Sequence, residues 1–270
     1  MGGLSHLLGY VKYPARDARG LFYNEDYAGT EGVEKYYNSF LAGKNGISIT
    51  EINALGMVES QSVIKPPYYG GTLKLSIDSE VQSQLFNFIK NLADEAGFSG
   101  GGGIIMDVSN GEILAITSFP EYDSEVLSEG KDSVEIESYV KDPSKPFLDR
   151  VTGGLYTPGS IVKPFIAVGA LEEGLIPPDK KIYSSGSISV PYSYDKTQKT
   201  VFMDWKAHGW VDMKDAIAVS SNVYFYTIGG GFEDQQGLGI SRIEEWMKKF
   251  GFGGTWAGNF FSSVAGTIPN

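Results

Sequence analysis

The chain has 270 residues, a formal charge of −11, 41% apolar and 13% aromatic residues, no cysteine and two histidines. That composition can fill a sizeable core in one large domain or one domain plus a smaller piece, while the acidic balance excludes phosphate-backbone recognition, so no nucleic-acid partner is expected. Without cysteine there is no disulfide, thiolate metal site or cysteine nucleophile, and His6 and His208 lie too far apart in sequence to suggest a histidine-rich metal site.

No stretch reaches the roughly 20 apolar residues of a membrane span. The start, Met1-Gly2-Gly3-Leu4-Ser5-His6, lacks the basic and apolar segments of a signal peptide. The chain as written is expected to be soluble, as the interior of a longer, anchored protein.

Residues 1 to about 70 read as a separate, less regular piece. It holds a short helix at Gly32-Val33-Glu34-Lys35-Tyr36-Tyr37-Asn38-Ser39-Phe40-Leu41 and short strands at Ile47-Ser48-Ile49 and around Asn53 to Ser62. Lys65-Pro66-Pro67-Tyr68-Tyr69-Gly70-Gly71 is a linker or turn cluster. A strand is expected over Thr72-Leu73-Lys74-Leu75-Ser76-Ile77. Asp78 then caps a helix with apolar positions Val81, Leu85, Phe88, Ile89, Leu92 and Ala96, closed by Gly97. After the glycine run Gly100 to Gly103 comes a hairpin, Ile104 to Val108 and Ile113 to Ile116, turning at Asn110-Gly111. The run lacks the Gly-Lys-Ser/Thr ending of a phosphate loop and precedes a strand, so no nucleotide site is expected. Residues 121 to 150 are acidic and polar with little periodicity, a surface excursion.

Next comes Tyr156-Thr157-Pro158-Gly159-Ser160-Ile161-Val162-Lys163-Pro164. The apolar positions Ile161, Val162, Phe165, Ile166, Val168, Ala170 and Leu171 predict a helix from Ser160 ending at Gly174. Ser160 and Lys163, three residues apart, then share a face. A serine is a poor nucleophile until an adjacent base takes its proton, and a lysine is that base only if burial or nearby positive charge keeps part of it neutral. The pair suggests acyl transfer through a serine ester, against the alternative of an ordinary N-cap serine. Ser-x-x-Lys occurs five times, beginning at Ser62, Ser128, Ser138, Ser160 and Ser193. The other four read as solvated loops. Pro164 lies early in the helix, where it would leave the Ser160 carbonyl without an N–H partner, a broken local rule of the kind expected at a functional site.

Residues 175 to 205 read as short strands and loops. His208, in Lys206-Ala207-His208-Gly209-Trp210, reads as structural, although a Ser-His-Asp mechanism would have to rest on it or on His6. A helix from about Asp212 to Val219 breaks at Ser220-Ser221-Asn222, the chain's single Ser-x-Asn, before apolar sequence resumes at Val223. At that break side chains can point into a cleft. A second hydroxyl can relay a proton between a lysine and a leaving amine, and an asparagine can donate to a substrate carbonyl while accepting from an ammonium. The alternative is a plain helix end with turn residues. Ser241-x-x-Glu244 is a capping-box signature for a last helix with Ile243, Trp246, Met247 and Phe250 on one face and Gly251 at its end.

Ser-x-x-Lys followed by Ser-x-Asn is a signature of penicillin-binding proteins and class A β-lactamases. With Gly32 to Tyr37, Leu73 to Asp78, Met106 to Ile116, Gly154 to Pro164 and Asp204 to Tyr226, the chain closely resembles the transpeptidase region of class B penicillin-binding proteins, the elongation type most of all. The resemblance implies an α+β fold: residues 1–70 as the remnant of a non-catalytic pedestal (dimerisation) domain, and 71–270 as an incomplete transpeptidase domain, an antiparallel sheet with flanking helices. It implies a D,D-transpeptidase that cross-links peptidoglycan stem peptides outside a bacterial cell membrane and is acylated by β-lactam antibiotics. A membrane glycosyltransferase is the implied protein partner, and no cofactor or metal is implied. By motif, Ser160 is the nucleophile, Lys163 takes its proton, and Ser220 and Asn222 handle the second proton transfer and hold the substrate. The Ser160 N–H would be one oxyanion donor.

The family's third motif, Lys-Thr/Ser-Gly on a strand lining the site, is absent. Lys196-Thr197-Gln198 and Lys199-Thr200-Val201 lack its glycine and precede Ser220, and Gly254 to Val264 fits the family poorly. The expectation is a C-terminally truncated enzyme of impaired activity. The alternatives are a pedestal or assembly module without chemistry and, less favoured, a serine β-lactamase. A β-lactamase needs a deacylating base, often in Glu-x-x-x-Asn, and none of Glu233, Glu244 or Glu245 has that asparagine.

Overall fold

The computed structural model describes residues 2–20, 22–192, 194–195, 197–255 and 263–270. Its backbone divides into two units, one built within Met1–Gly154 and one within Leu155–Thr255, so residue 70 falls inside the first. Ser193, Lys196 and most of the stretch 254–264 lie outside the described residues.

The first unit starts with helix α1 (Ser5–Leu8) and four short strands, β1 (Val11–Lys12), β2 (Ala15–Arg16), β3 (Phe22–Asn24) and β4 (Ala28–Gly29). β1 pairs with β4 and β2 with β3. The helix expected over 32–41 is two, α2 (Gly32–Tyr36) and α3 (Asn38–Leu41), and Asn38 at the break accepts from the Gly29 amide at 2.8 Å. Strands β5 (Ile47–Ile52) and β6 (Val58–Lys65) form an exposed hairpin. Asn53 belongs to its turn, not to a strand, because its side chain accepts from the Leu55 and Met57 amides at 3.0 Å.

Residues 72–77 are not a strand. Leu73, Leu75 and Ile77 alternate onto a cluster of Leu7, Val33 and Ile116, but hydrogen bonding to the neighbouring segment is limited to Ser76 Oγ with Ile113 O and Asp78 N–H with Leu114 O, both at 2.8 Å. Alternation placed the side chains without a ladder to pair the backbone. Helix α4 (Ser79–Ala96) begins and ends as expected, with the Asp78 carboxylate accepting from the Glu80 and Val81 amides and Gly97 left-handed at φ 71°. Its buried line is Gln82, Phe86 and Ala93, whereas Phe88 and Leu92 are exposed.

β7 (Gly101–Met106) and β8 (Ile113–Phe119) form the expected hairpin, with β7 already under way in the glycine run. A Cβ on Gly101 would stand 2.9 Å from Ile89, and one on Gly102 2.9 Å from Val151, so the run is a strand pressed against its neighbours. The excursion at 121–150 contains two helices, α5 (Ser124–Glu129) and α6 (Ser133–Lys141). Its acids are partly caps: Asp123 accepts from the Glu125 amide and Asp132 from the Glu135 amide. Ser62, Ser128 and Ser138 therefore sit on β6, α5 and α6, not in loops.

The second unit holds a single 3₁₀ turn (Gly159–Val162), α7 (Lys163–Glu172), β9 (Ile182–Ser184), β10 (Ser187–Pro191), β11 (Lys199–Met203), β12 (Gly209–Val211), α8 (Met213–Ala218), α9 (Asn222–Gly230) and α10 (Gly239–Lys249). β10 pairs with β11 and β9 with β12. The capping box at Ser241 does not form, because α10 starts two residues earlier and Glu244 reaches forward to Lys248 at 2.6 Å. Ala167 and Ala170 of α7, Tyr224, Phe225 and Ile228 of α9, Leu238 and Ile176 make the core. Gly169 lets Trp246 close on α7, with ring atoms 3.0 Å from where a Cβ would stand. The fold is mixed α and β, and every strand pair among the described residues is antiparallel and two-stranded. No helix among those residues is long and apolar enough to cross a membrane.

Candidate active site

All four residues expected to carry the chemistry lie in the second unit. Gly159, at φ 61°, turns the chain into the 3₁₀ segment that holds Ser160. With three residues per turn, this segment sets Ser160 and Lys163 above one another. The Lys163 N–H closes it on the Ser160 carbonyl. That corrects the expectation for Pro164: the carbonyl is satisfied, and proline in the first turn of α7 forfeits no hydrogen bond. Pro158 stands at the N-cap of this turn and makes no side-chain cap, and the Ser160 N–H is among those a first turn leaves without an intrahelical acceptor.

Ser160 is exposed and Lys163 is 8% exposed. Packing of α7 against α9 brings Lys163 to the Ser220 break. Lys163 Nζ donates to Ser220 O at 2.7 Å, Ser220 Oγ at 3.1 Å and Asn222 Oδ1 at 2.7 Å. Three acceptors match the three protons of an ammonium. No hydrogen bond joins Lys163 Nζ to Ser160 in this arrangement. Burial lowers the Lys163 pKa, against an opposing pull from the Asp204 carboxylate.

The break is built as two helix ends back to back. Ser220 is left-handed at φ 54°, just past α8, and the Ser221 N–H returns to Ala216 O at 2.9 Å. Ser221 is the N-cap of α9, so the plain-turn reading describes part of what this loop does. Behind it lies Asp204, its side chain fully buried. Asp204 Oδ2 accepts from Ser221 Oγ at 2.8 Å and the Val223 amide at 2.9 Å, and from Ser184 Oγ at 3.3 Å. Oδ1 accepts from the Trp205 amide at 2.9 Å. Burial pushes this carboxyl up, but the hydrogen bonds from Val223, Asn222, Ser221 and Trp205 outweigh it and hold the pKa at about 2. Asp204 opens one of the stretches that carry the resemblance, but no local spacing gives it this place; three of its four partners are 17 to 20 residues away, and the fourth is the next residue's amide.

His208 is buried 3.6 Å from Asp204 Oδ1, against Trp205, as a structural reading requires. Lys199 and Thr200 lie on β11, paired across to Pro191 and Val190. No cluster of three or more potential metal ligands occurs among the described residues.

Two family models match the chain: the penicillin binding protein transpeptidase domain over residues 101–270 and the penicillin-binding protein dimerisation domain over residues 2–75. Peptidoglycan D,D-transpeptidase MrdA of Haemophilus influenzae is 33% identical over 98% of this chain and 40% of its own length. Among solved structures, the complex between penicillin-binding protein PBP2 and MreC from Helicobacter pylori is similar at TM-score 0.75 and 29% identity, covering 98% of this chain and 47% of that one. Pseudomonas aeruginosa PBP2 in complex with WCK 5153 is similar at TM-score 0.70 and 28% identity, covering 99% and 52%. The chain thus spans about two fifths of the curated relative and about half of the solved ones.

Proposed function

Since the chain belongs to the penicillin-binding protein transpeptidase family, we propose that it is an acyl-serine D,D-transpeptidase acting on peptidoglycan stem peptides and acylated by penicillins. The observation that carries this reading is the buried Lys163 amine, one turn from an exposed Ser160 and bonded to Ser220 and Asn222. Ser160 Oγ attacks the penultimate D-alanine carbonyl as its proton passes to neutral Lys163. The developing oxyanion takes the Ser160 N–H, at the positive end of the first turn. Lys163 returns the proton through Ser220 Oγ to the leaving D-alanine amine as the amide bond breaks. Asn222 donates its amide to the substrate backbone while its oxygen holds the ammonium. The amine of a second stem peptide then attacks the ester, gives up a proton by the reverse route and releases Ser160. Lys163 Nζ is bonded to Ser220 and Asn222 and not yet to Ser160, and catalytic hydrogen bonds commonly tighten only once substrate binds.

In this reading residues 1–70 belong to the pedestal and 71–270 to the transpeptidase domain, consistent with the family matches over 2–75 and 101–270. The site faces the outside of a bacterial cell membrane and works beside a membrane glycosyltransferase. Labelling with a fluorescent penicillin tests it: Ser160 should be acylated, and Ser160→Ala should abolish the label. A folded chain that takes no label would instead support an assembly module without chemistry. Glu244, paired with Lys248 on α10, gives no support to a deacylating role.

A further inference from the structure

We infer that Asp204 is the positioning residue of this site: its buried carboxylate, through Ser221 and the Val223 amide, holds the Ser220–Asn222 loop in the shape that offers Lys163 its three acceptors. The consequence for acylation rests on the transpeptidase reading; the positioning itself does not.

A fully buried carboxylate is costly unless its oxygens are satisfied. Asp204 meets that cost with four donors, two of which belong to the loop: Ser221 Oγ and the Val223 N–H. The same Ser221 oxygen also accepts from the Tyr224 amide at 3.4 Å, capping α9. Asp204 therefore sits as a second, tertiary cap at the positive end of α9, where a negative charge is favoured. Its backbone is tied down independently, by its N–H on Gly186 O at 2.8 Å. The loop it grips is not in a relaxed conformation, since Ser220 carries a left-handed φ that a non-glycine residue adopts only under constraint. Ser220 O, Ser220 Oγ and Asn222 Oδ1 all depend on that conformation for their approach to Lys163.

The titratable groups facing Asp204 are His208, 3.6 Å from Oδ1, and Lys163, on which its charge acts through space. Removing the carboxylate while keeping the shape, as Asp204→Asn does, has two separable effects. The loop loosens, and Lys163 loses a charge that favours its ammonium.

The test compares the full chain with Asp204→Asn and Ser221→Ala by hydrogen exchange over residues 219–225 and by the rate of acylation with fluorescent penicillin across the pH range where lysine titrates. Both variants are expected to exchange faster in that segment and to acylate about 10–100-fold more slowly. Asp204→Asn should also move the alkaline limb of the pH profile to lower pH, which Ser221→Ala, with the carboxylate retained, should do far less. Wild-type protection and rate in both variants would overturn the inference. If Asp204→Asn does not fold, Ser221→Ala decides alone by the same two readouts. If the wild-type chain takes no label, the transpeptidase reading fails while the exchange data still decide the positioning role.

Discussion

Lys163 has two demands placed on it. Its three acceptors suit an ammonium, yet a base must be neutral. Burial resolves part of the conflict by lowering its pKa. Acylation of Ser160 should therefore rise with pH along a single limb whose midpoint lies below the ordinary lysine value of about 10.4; a limb at that value would remove burial as the cause. Ser220 carries a second conflict. Its φ of 54° suits glycine, while its hydroxyl accepts from Lys163 and is the group the proposed relay uses. Ser220→Gly should raise stability by about 1 kcal/mol in thermal unfolding and lower penicillin acylation by about tenfold or more. Opposite signs in the two measurements separate strain from function.

At the level of elements, the clearest case is α4 on β8. Gln82 is fully buried and behaves as a piece of strand: its oxygen accepts from the Ile116 N–H at 2.8 Å, and its nitrogen donates to Ile116 O at 2.6 Å and to Gly3 O. Gln82→Leu leaves these backbone groups unpaired and should cost about 2–3 kcal/mol in denaturant unfolding. Tyr224 on α9 is the converse. Its hydroxyl is buried without a partner among the described residues, and burial pushes its pKa up to about 12. Tyr224→Phe should leave stability unchanged or raise it by up to about 1 kcal/mol; a loss of that size would reveal a partner for the hydroxyl. The same helices mark what periodicity can deliver. It located α4, its Asp78 cap and its Gly97 end, because those signals are local. It missed the phase of the buried face, because a glutamine was recruited inward by the β8 backbone. Likewise Ser241 looked like a cap only because Leu238, the true N-cap of α10, has no capping side chain to announce it.

For the molecule as a whole, the four motif residues were legible because two short spacings name them and a resemblance orders them. Asp204 was not, since its role exists only once β11, the break before α9 and α7 have come together. The division into strands was legible in part. Alternation at 72–77 could not reveal that no ladder forms there. The described ladders are two-stranded, and on the β5–β6 hairpin Ile47, Ile49, Ile52, Val58, Val63 and Ile64 are all more than half exposed. Unpaired edges with apolar side chains favour association between copies. Light scattering should show self-association that grows with concentration, weakened by Ile49→Lys or Val63→Lys; a single monomeric species at every concentration would contradict this.

The glycine run of β7 carries a genetic consequence. Gly101, Gly102 and Gly103 each face a neighbour 2.9 to 3.0 Å from the site of a Cβ. All glycine codons begin with two guanines, so any single-base change at either one encodes a residue with at least one extra carbon, or a stop. No one-step mutation at the Gly101 and Gly102 codons escapes a methyl 2.9 Å away, whereas at Gly103 the added carbon meets the movable ends of Ile89 and Leu85 at 3.0 to 3.3 Å. A library of point mutants selected for folded protein should be almost blank at 101 and 102 and sparser than average at 103.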